Sequence, residues 1–194
     1  ESESRGLGDV YKRQKIEFVL TEKLGDLGKK IHTARSRNDQ VLVAMQLYLK
    51  QEISVIKSMT YDFFKLLIKL TKQHKDMLLP GYTHFQVAMP SSFGLWFSAY
   101  AESLIDDVTL LNAAKKIVDQ NPLGSAAGFG SSFPIDRKST TKSLNFGDLK
   151  YNVIAAQMSR GKAEKTTAFA MASLSANLSN CLLYTSDAAD DGLS

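Results

Sequence analysis

The chain is poor in the residues that build disulfides and metal centres. Of its 194 residues, one is cysteine and three are histidine. A single cysteine, Cys181, supports neither an internal disulfide nor a cysteine-based metal site, and it lies in a terminal segment that is set aside below. The histidines are dispersed and show no Glu-x-x-His pattern. The sequence therefore indicates neither a metal nor another cofactor.

Long apolar runs and basic clusters are lacking as well. No run approaches the ~18 apolar residues needed to span a membrane, and no signal peptide is visible. No basic stretch with interleaved aromatic residues occurs, and no nucleic-acid motif. We therefore expect a soluble, cytoplasmic protein that binds neither membranes nor nucleic acids.

The two ends of the chain look like translations of opposite strands of one short DNA element. Back-translation of Asp9–Gln14 gives a string whose reverse complement, read one base out of frame, encodes Cys181–Thr185. Both ends resemble translated transposase adapters from a sequencing library, so we predict artefactual tails at 1–14 and 181–194. Residues 15–180 are then expected to be an internal piece of a longer protein. Without the tails the formal net charge rises from +4 to +7, which favours anionic ligands.

The most informative segment is His32–Gln40, which we call the Arg-rich loop. It contains one histidine, two arginines, two hydroxyl side chains, an asparagine and an aspartate, directly before a long apolar pattern. A helix start with free N–H groups, beside two guanidinium groups, suits an anion such as a carboxylate. The alternative is an ordinary helix cap, with Asn38 or Asp39 as the capping residue.

Apolar periodicity predicts an all-α fold, a bundle of long helices. From Gln40 to His74 apolar residues recur every three or four positions without Gly or Pro, which predicts a helix roughly 50 Å long. Its apolar stripe is too wide for a single neighbour, as in a bundle or an oligomer core. A second helix is expected from Pro90 to about Val118. No convincing strand pattern appears, and further helices are predicted near Asp136–Leu144, Asn152–Met158 and Lys162–Asn180.

A histidine turn lies between the two long helices. In the turn Pro80–Gln86, His84 stands among aromatic residues just before the second helix. An imidazole suits proton transfer near neutral pH, and the Thr83 hydroxyl can fix a substrate. The alternative is a turn histidine bonded to the backbone. His74 is better explained as a solvated residue at a helix end, and His32 is ambiguous, since it could orient the Arg-rich loop without touching substrate.

A third polar segment, Asn121–Pro134, is called the Gly/Ser loop here. It lacks the Gly-Lys-Ser/Thr ending of a phosphate loop and follows no strand, so a helix connector explains it as well as a ligand site does. The second helix should run antiparallel to the first and so bring this loop near the Arg-rich loop. The His84 turn then lies tens of ångströms away, at the far end of the first helix. If both polar clusters serve one site, different subunits must supply them.

Three segments in order carry a resemblance to a known family: Lys30–Gln40, Pro80–Gln86, and Pro122–Ala126 with Phe133–Arg137. Together they are similar to the argininosuccinate lyases of the aspartase/fumarase superfamily, over essentially all of 15–180. The resemblance implies the central helical-bundle domain of that fold, with an incomplete N-terminal domain. It also implies a homotetramer whose sites are built from three subunits. The implied reaction cleaves argininosuccinate to arginine and fumarate, by proton abstraction next to a carboxylate and C–N bond breaking.

The resemblance also assigns roles by position. Arg35, Ser36 and Asn38 would hold substrate carboxylates, Thr83 would bind substrate, and His84 would be the acid/base histidine. The family's Gly-Ser-Ser loop, whose serine is the other catalytic residue, has no counterpart in 15–180. The pair Ser131-Ser132 is followed by the wrong residues to be that loop. We therefore expect this chain alone to be inactive.

Three other interpretations stay open at this point. A non-catalytic relative such as delta-crystallin is disfavoured by the intact His84 and Arg-rich loop. Another lyase of the superfamily, acting on fumarate, aspartate or adenylosuccinate, is disfavoured by the residues from Ser36 to Gln40. A plain helical scaffold would make the polar helix ends coincidental.

Overall fold

The computed structural model describes residues 15–30 and 32–190, with the backbone alone for 183–190. The first predicted tail, 1–14, lies outside the described residues, as do residues 191–194 of the second. The helices are α1 (15–24), α2 (Asp26–Lys30), α3 (Arg37–Gln73), α4 (Phe93–Val118), α5 (Arg137–Ser143), α6 (Val153–Met158) and α7 (Lys162–Asp190). The strands are β1 (Leu78–Thr83), β2 (Gln86–Ser92), β3 (Gln120–Asn121) and β4 (Asp148–Leu149).

Three long helices, α3, α4 and α7, pack together and contain the apolar core. α4 runs antiparallel to α3, because Lys50 forms an ion pair with Asp119 (2.6 Å) while Lys57 donates to the Asn112 side chain. α4 also packs against α7. The predicted helical bundle is therefore confirmed. Its buried apolar side chains include Ile53, Leu67, Ala101, Leu104, Leu111, Ala114, Val118, Ala170 and Leu174.

α3 begins with a capping box at Ser36, two or three residues earlier than expected. Ser36 is the N-cap: its hydroxyl accepts from the Asn38 N–H (3.3 Å), and the Asp39 carboxylate accepts the Ser36 N–H (2.9 Å). The expected cap at Asn38 or Asp39 was wrong, because the reciprocal pair of bonds requires the helix to start after Ser36. From there neither Gly nor Pro interrupts Arg37–Gln73, and the predicted first helix, Gln40–His74, is confirmed within three residues.

The other helices also follow the predicted pattern, with two differences. α5 and α6 lie within one residue of the predicted bounds, because Asp136 and Asn152 cap them. α4 ends at Val118 as predicted but begins at Phe93 rather than Pro90. α7 begins at Lys162 and continues to Asp190, ten residues beyond the predicted Asn180.

Strands β1 and β2 form an antiparallel hairpin between the two long helices. The expectation of no strand was wrong here. Pro80 lies opposite Pro90 in this two-stranded sheet, where both strands are edges and tolerate a missing N–H group. Pro90 therefore belongs to the hairpin and does not open the second helix. A further pair, β3 and β4, is parallel and two residues long.

Many large apolar side chains remain exposed on the long helices and the hairpin. A wide apolar stripe on α3 predicts additional neighbours, and these exposed residues agree with that prediction. They include Tyr48, Met59, Val87, Met89, Leu95 and Ile105. None of the described helices is both long enough and apolar enough to cross a membrane.

Candidate functional site

The Arg-rich loop places its candidate ligand-binding groups around the first turn of α3. The positive φ of Ala34 (55°) turns the chain just before Arg35. Arg35 and Ser36 are half-buried, and Asn38 is exposed. Within the described part of the chain, the Arg35 and Asn38 side chains make no hydrogen bond or ion pair. Two donor side chains are thus available to an anion at the positive end of a long helix.

Asp39 joins the Arg-rich loop to the Gly/Ser loop. Its Oδ2 atom accepts hydrogen bonds from the Gly124 N–H (3.1 Å) and the Ala126 N–H (3.3 Å), while its Oδ1 atom accepts from the Ser36 N–H. The side chain is completely buried. The prediction that α4 returns the Gly/Ser loop to the Arg-rich end is therefore confirmed.

Arg137 holds the Gly/Ser loop from the other side. Its Nε atom donates to the Leu123 carbonyl (2.8 Å), and its two terminal nitrogens donate to the carbonyls of Lys150 (2.7 Å) and Tyr151 (3.0 Å). Burial lowers the pKa of the Arg137 guanidinium, and the negative charge of Asp39 opposes that shift. The loop thus lies between an acidic and a basic side chain.

Polar side chains inside the Gly/Ser loop complete its framework. The buried Asn121 donates to the Thr141 hydroxyl (2.9 Å) and accepts from the Leu123 N–H (3.0 Å). The buried Ser125 hydroxyl accepts from the Gln157 side chain (2.9 Å). The sequence did not predict the contacts with Thr141 and Gln157, because those partners lie 20 and 32 residues away and no short motif links them. An asparagine before a proline is the one local signal, since Asn often turns the chain in this way.

The His84 turn is the tight turn of the hairpin. Both central residues have left-handed backbone, with φ of 51° at His84 and 60° at Phe85. This is the pattern of a type I′ turn, where Asn-Gly is the favoured pair. Other residues lose roughly 1–2 kcal/mol each in this conformation, and such strain clusters at functional sites. Thr83 and His84 are both exposed, so their side chains are accessible.

The structure brings together two of the three polar segments and keeps the third apart. α3 contains 37 residues, so its two ends are about 55 Å apart at 1.5 Å per residue. Arg35, Ser36 and Asn38 stand at its start, whereas Thr83 and His84 follow its end. A single copy of the chain cannot bring these two groups to one ligand, as the helix length predicted.

The remaining two histidines and a surface groove along α3 are not among the predicted site residues. His32 lies 3.2 Å from the Glu17 carboxylate, and His74 ends α3 with its ring 6.1 Å from that of Phe97. No group of three or more His, Cys, Asp or Glu side chains that could hold a metal occurs in the residues described. A groove of about 500 Å³ along α3, beside Lys50 and Ser54, contains none of the predicted site residues.

Comparison with known proteins decides the family. A family model described as "Lyase" matches residues 2–187. The chain belongs to the lyase family. Among curated lyases it is 56% identical over 174 residues to an argininosuccinate lyase of Parabacteroides distasonis and 55% identical to one of Phocaeicola vulgatus. Each alignment covers 90% of the chain and 39% of the relative. The chain thus spans about two fifths of the length of these relatives.

Solved lyase structures share the fold. EDDS lyase in complex with formate matches with a TM-score of 0.78 at 24% identity, over 88% of this chain and 35% of that one. A fumarate lyase:delta crystallin from Brucella melitensis, bound to cobalt, matches with a TM-score of 0.71 at 17% identity, over 83% and 36%. At these identities the similarity establishes the fold of this lyase-family chain.

Proposed function

We propose that the protein to which this chain belongs is an argininosuccinate lyase, which reversibly cleaves argininosuccinate to arginine and fumarate. The observation that carries the proposal is the 56% identity to the Parabacteroides distasonis argininosuccinate lyase, because that alignment includes 90% of the chain. The reaction would serve arginine biosynthesis. It invokes no cofactor.

The available donors fit the substrate, which is rich in carboxylates. Arg35 and Asn38 present donors at the start of α3, and the Ser36 hydroxyl can still donate while it accepts from Asn38 N–H. We assign these three residues to the binding of substrate carboxylates. Thr83 is assigned to substrate binding and His84 to acid/base chemistry.

The elimination moves two protons and two electron pairs. A base removes a proton from the carbon next to a carboxylate, and the electrons of that C–H bond form the new double bond. The C–N bond breaks, and the leaving nitrogen keeps its electron pair and takes up a proton. Negative charge develops on the carboxylate before the C–N bond breaks, and fixed donors around that carboxylate stabilise it. His84 transfers one of the two protons.

Assembly of the site requires more than one copy of the chain under this proposal. The donors lie at the start of α3 and His84 lies in the hairpin beyond its end, and the helix between them is about 55 Å long. Antiparallel packing of α3 helices from neighbouring copies would bring the start of one helix to the end of the other. The exposed apolar residues of α3 and α4 support such packing. We propose a homotetramer, as in the family resemblance, working in the cytoplasm.

A chimera tests the proposed activity with this chain's own residues. Residues 15–180 replace the matching segment of the Parabacteroides distasonis relative, which supplies the remaining length. We expect the chimera to release fumarate from argininosuccinate, measured by the ultraviolet absorbance of its conjugated double bond. The 194-residue chain alone should release none, because the family's Gly-Ser-Ser loop has no counterpart in 15–180. A folded chimera without this activity contradicts the proposal.

The role of His84 is tested in the same chimera with His84→Asn. Asparagine tolerates left-handed backbone, so the turn should persist while the imidazole is lost. We expect kcat to fall about 100-fold or more, the usual contribution of a general acid or base. His74→Asn removes a histidine outside the proposed site and should leave kcat unchanged. Equal kcat in the two variants would exclude the acid/base role.

A further inference from the structure

The carboxylate of Asp39 is the most deeply buried charged group near the Arg-rich loop. Its side chain is 0% exposed, and burial of an unsatisfied carboxylate costs several kcal/mol in general. Three backbone N–H groups satisfy it, from Ser36 (2.9 Å), Gly124 (3.1 Å) and Ala126 (3.3 Å). One oxygen serves the cap of α3 and the other serves the Gly/Ser loop. The same side chain therefore connects two segments that are 85 residues apart.

The Gly/Ser loop is a firm support for this connection, because one of its peptide groups is held at both ends. The carbonyl of Leu123 accepts from Arg137 (2.8 Å), and the N–H of the same peptide group, at Gly124, donates to Asp39. Gly124 has a φ of 88°, and an added Cβ would lie 2.8 Å from the Arg137 Cγ atom. The opposite charges of Asp39 and Arg137 thus match the dipole of the peptide between them.

We propose that Asp39 is a positioning residue, which fixes the Arg-rich loop against the Gly/Ser loop and so sets where Arg35, Ser36 and Asn38 meet the substrate. The inference rests on the proposed function. Ser36 is both a proposed substrate ligand and a donor to Asp39, so any shift of that carboxylate moves the ligand directly. Arg35 and Asn38 flank these bonded residues in sequence and move with them.

Asp39→Asn in the active chimera tests the proposal. The amide keeps one acceptor oxygen and places an NH₂ group against a backbone N–H, so one of the two segments is released. The displaced groups remain present and can still stabilise the carboxylate once the substrate is bound, whereas initial binding is weakened. We therefore expect KM to rise about tenfold or more, with kcat changed less than about threefold.

Asp107→Asn is the matched control. Asp107 is also a buried carboxylate (3% exposed), and it accepts from Ser173 (2.7 Å) and Asn177 (2.8 Å) between α4 and α7. It contacts neither loop through these bonds. We expect this variant to lose thermal stability and keep its KM. A KM increase of similar size in both variants would mean a general structural role and would overturn the proposal.

A second measurement uses the 194-residue chain and does not depend on activity. Asp39→Asn should accelerate hydrogen exchange at the Gly124 and Ala126 amides about tenfold or more, because these amides lose their acceptor. If the unsubstituted chimera is inactive, the proposed function is wrong. The hydrogen-exchange measurement would still test whether Asp39 holds the two loops together. Unchanged exchange, or faster exchange with an unchanged KM, overturns the positioning role.

If the Asp39→Asn variant does not fold, Arg137→Lys tests the positioning role instead. The lysine amine cannot replace the planar guanidinium at all three carbonyls. The Leu123–Gly124 peptide group then loses the hydrogen bond at its carbonyl end, opposite the end that Asp39 holds. We expect the same selective increase of KM. A folded Arg137→Lys chimera with an unchanged KM contradicts the proposal.

Discussion

At the scale of single residues, the proposed acid/base histidine lies in a turn whose two central residues both have left-handed backbone, a conformation that is especially unfavourable for phenylalanine. His84 and Phe85 both have positive φ, and neither is glycine or asparagine. Phe85 is fully exposed, so its side chain gains no packing within this chain to offset the strain. The turn thus gives up stability at the position where the proposed chemistry needs an accessible imidazole.

Phe85→Gly measures the strain of this turn. Glycine removes the left-handed penalty of roughly 1–2 kcal/mol and costs about 0.5–1 kcal/mol in chain entropy. We expect a net gain near 0.5 kcal/mol, or about 1–2 °C in the Tm of the 194-residue chain. Phe129→Gly is the matched control, because Phe129 is also exposed but has no positive φ. That variant should lose stability; a gain of Tm in both would refute the explanation.

Residues with distinctive chemistry could be selected from the sequence as candidates, whereas tertiary contacts between distant residues could not be inferred from it. Arg35, Asn38 and His84 stood out because their segments concentrate polar groups at helix or turn boundaries. The spacing of Ser36 and Asp39 contains the signal of a capping box, but it does not reveal the contact of Asp39 with Gly124. That contact depends on the length and direction of α3 and α4 together.

At the scale of elements, helices were predictable and strands were not, for one physical reason. Burial on one face of a helix imposes a period that the sequence displays, as in α3 and α4. The hairpin strands β1 and β2 are largely exposed and carry a proline each, so they show neither an apolar alternation nor a typical strand composition. Their pairing is visible only in the structure.

The antiparallel contact of α3 and α4 makes a graded prediction for two adjacent leucines. Leu111 is completely buried, whereas Leu110 is 46% exposed on the same helix. We expect Leu111→Ala to lower the free energy of unfolding by about 2–5 kcal/mol, because it removes buried methyl groups and leaves a cavity. Leu110→Ala should cost less than about 1.5 kcal/mol. Urea denaturation followed by circular dichroism measures the free energy of unfolding of both variants. Similar losses would contradict the assignment of Leu111, but not Leu110, to the core.

At the scale of the whole molecule, the described chain has more exposed apolar surface than its own packing explains. Residues such as Met59, Leu66 and Ile105 stay exposed on the long helices, and the proposed site is divided between distant ends. The proposed homotetramer would account for both features, because other copies of the chain would cover apolar faces and complete the site. A single copy leaves these apolar faces uncovered and the proposed site incomplete.

Mixing two inactive variants tests this arrangement. In the chimera, Asn38→Ala damages the start of α3 and His84→Asn damages the turn beyond its end. We expect each variant to be nearly inactive alone, and activity to return when the two are unfolded and refolded together. Random assembly would restore up to about one quarter of the sites, since each site draws its two parts from different copies. No recovery in mixed oligomers would mean that one copy supplies both parts.

The unbroken length of α3 has a consequence for how this protein can vary. Each residue of a helix adds 1.5 Å and turns the chain by about 100°, so deletion of one residue rotates everything beyond it by more than a quarter of a circle. Exposed polar positions of α3 outside the Arg-rich loop can change their side chains at little cost, but the count of 37 residues sets the phase between its two ends. Two whole turns, seven residues, come close to restoring that phase yet shift the hairpin by about 10 Å. Substitutions in α3 therefore preserve the distance and the rotation between its two ends, whereas insertions and deletions change them.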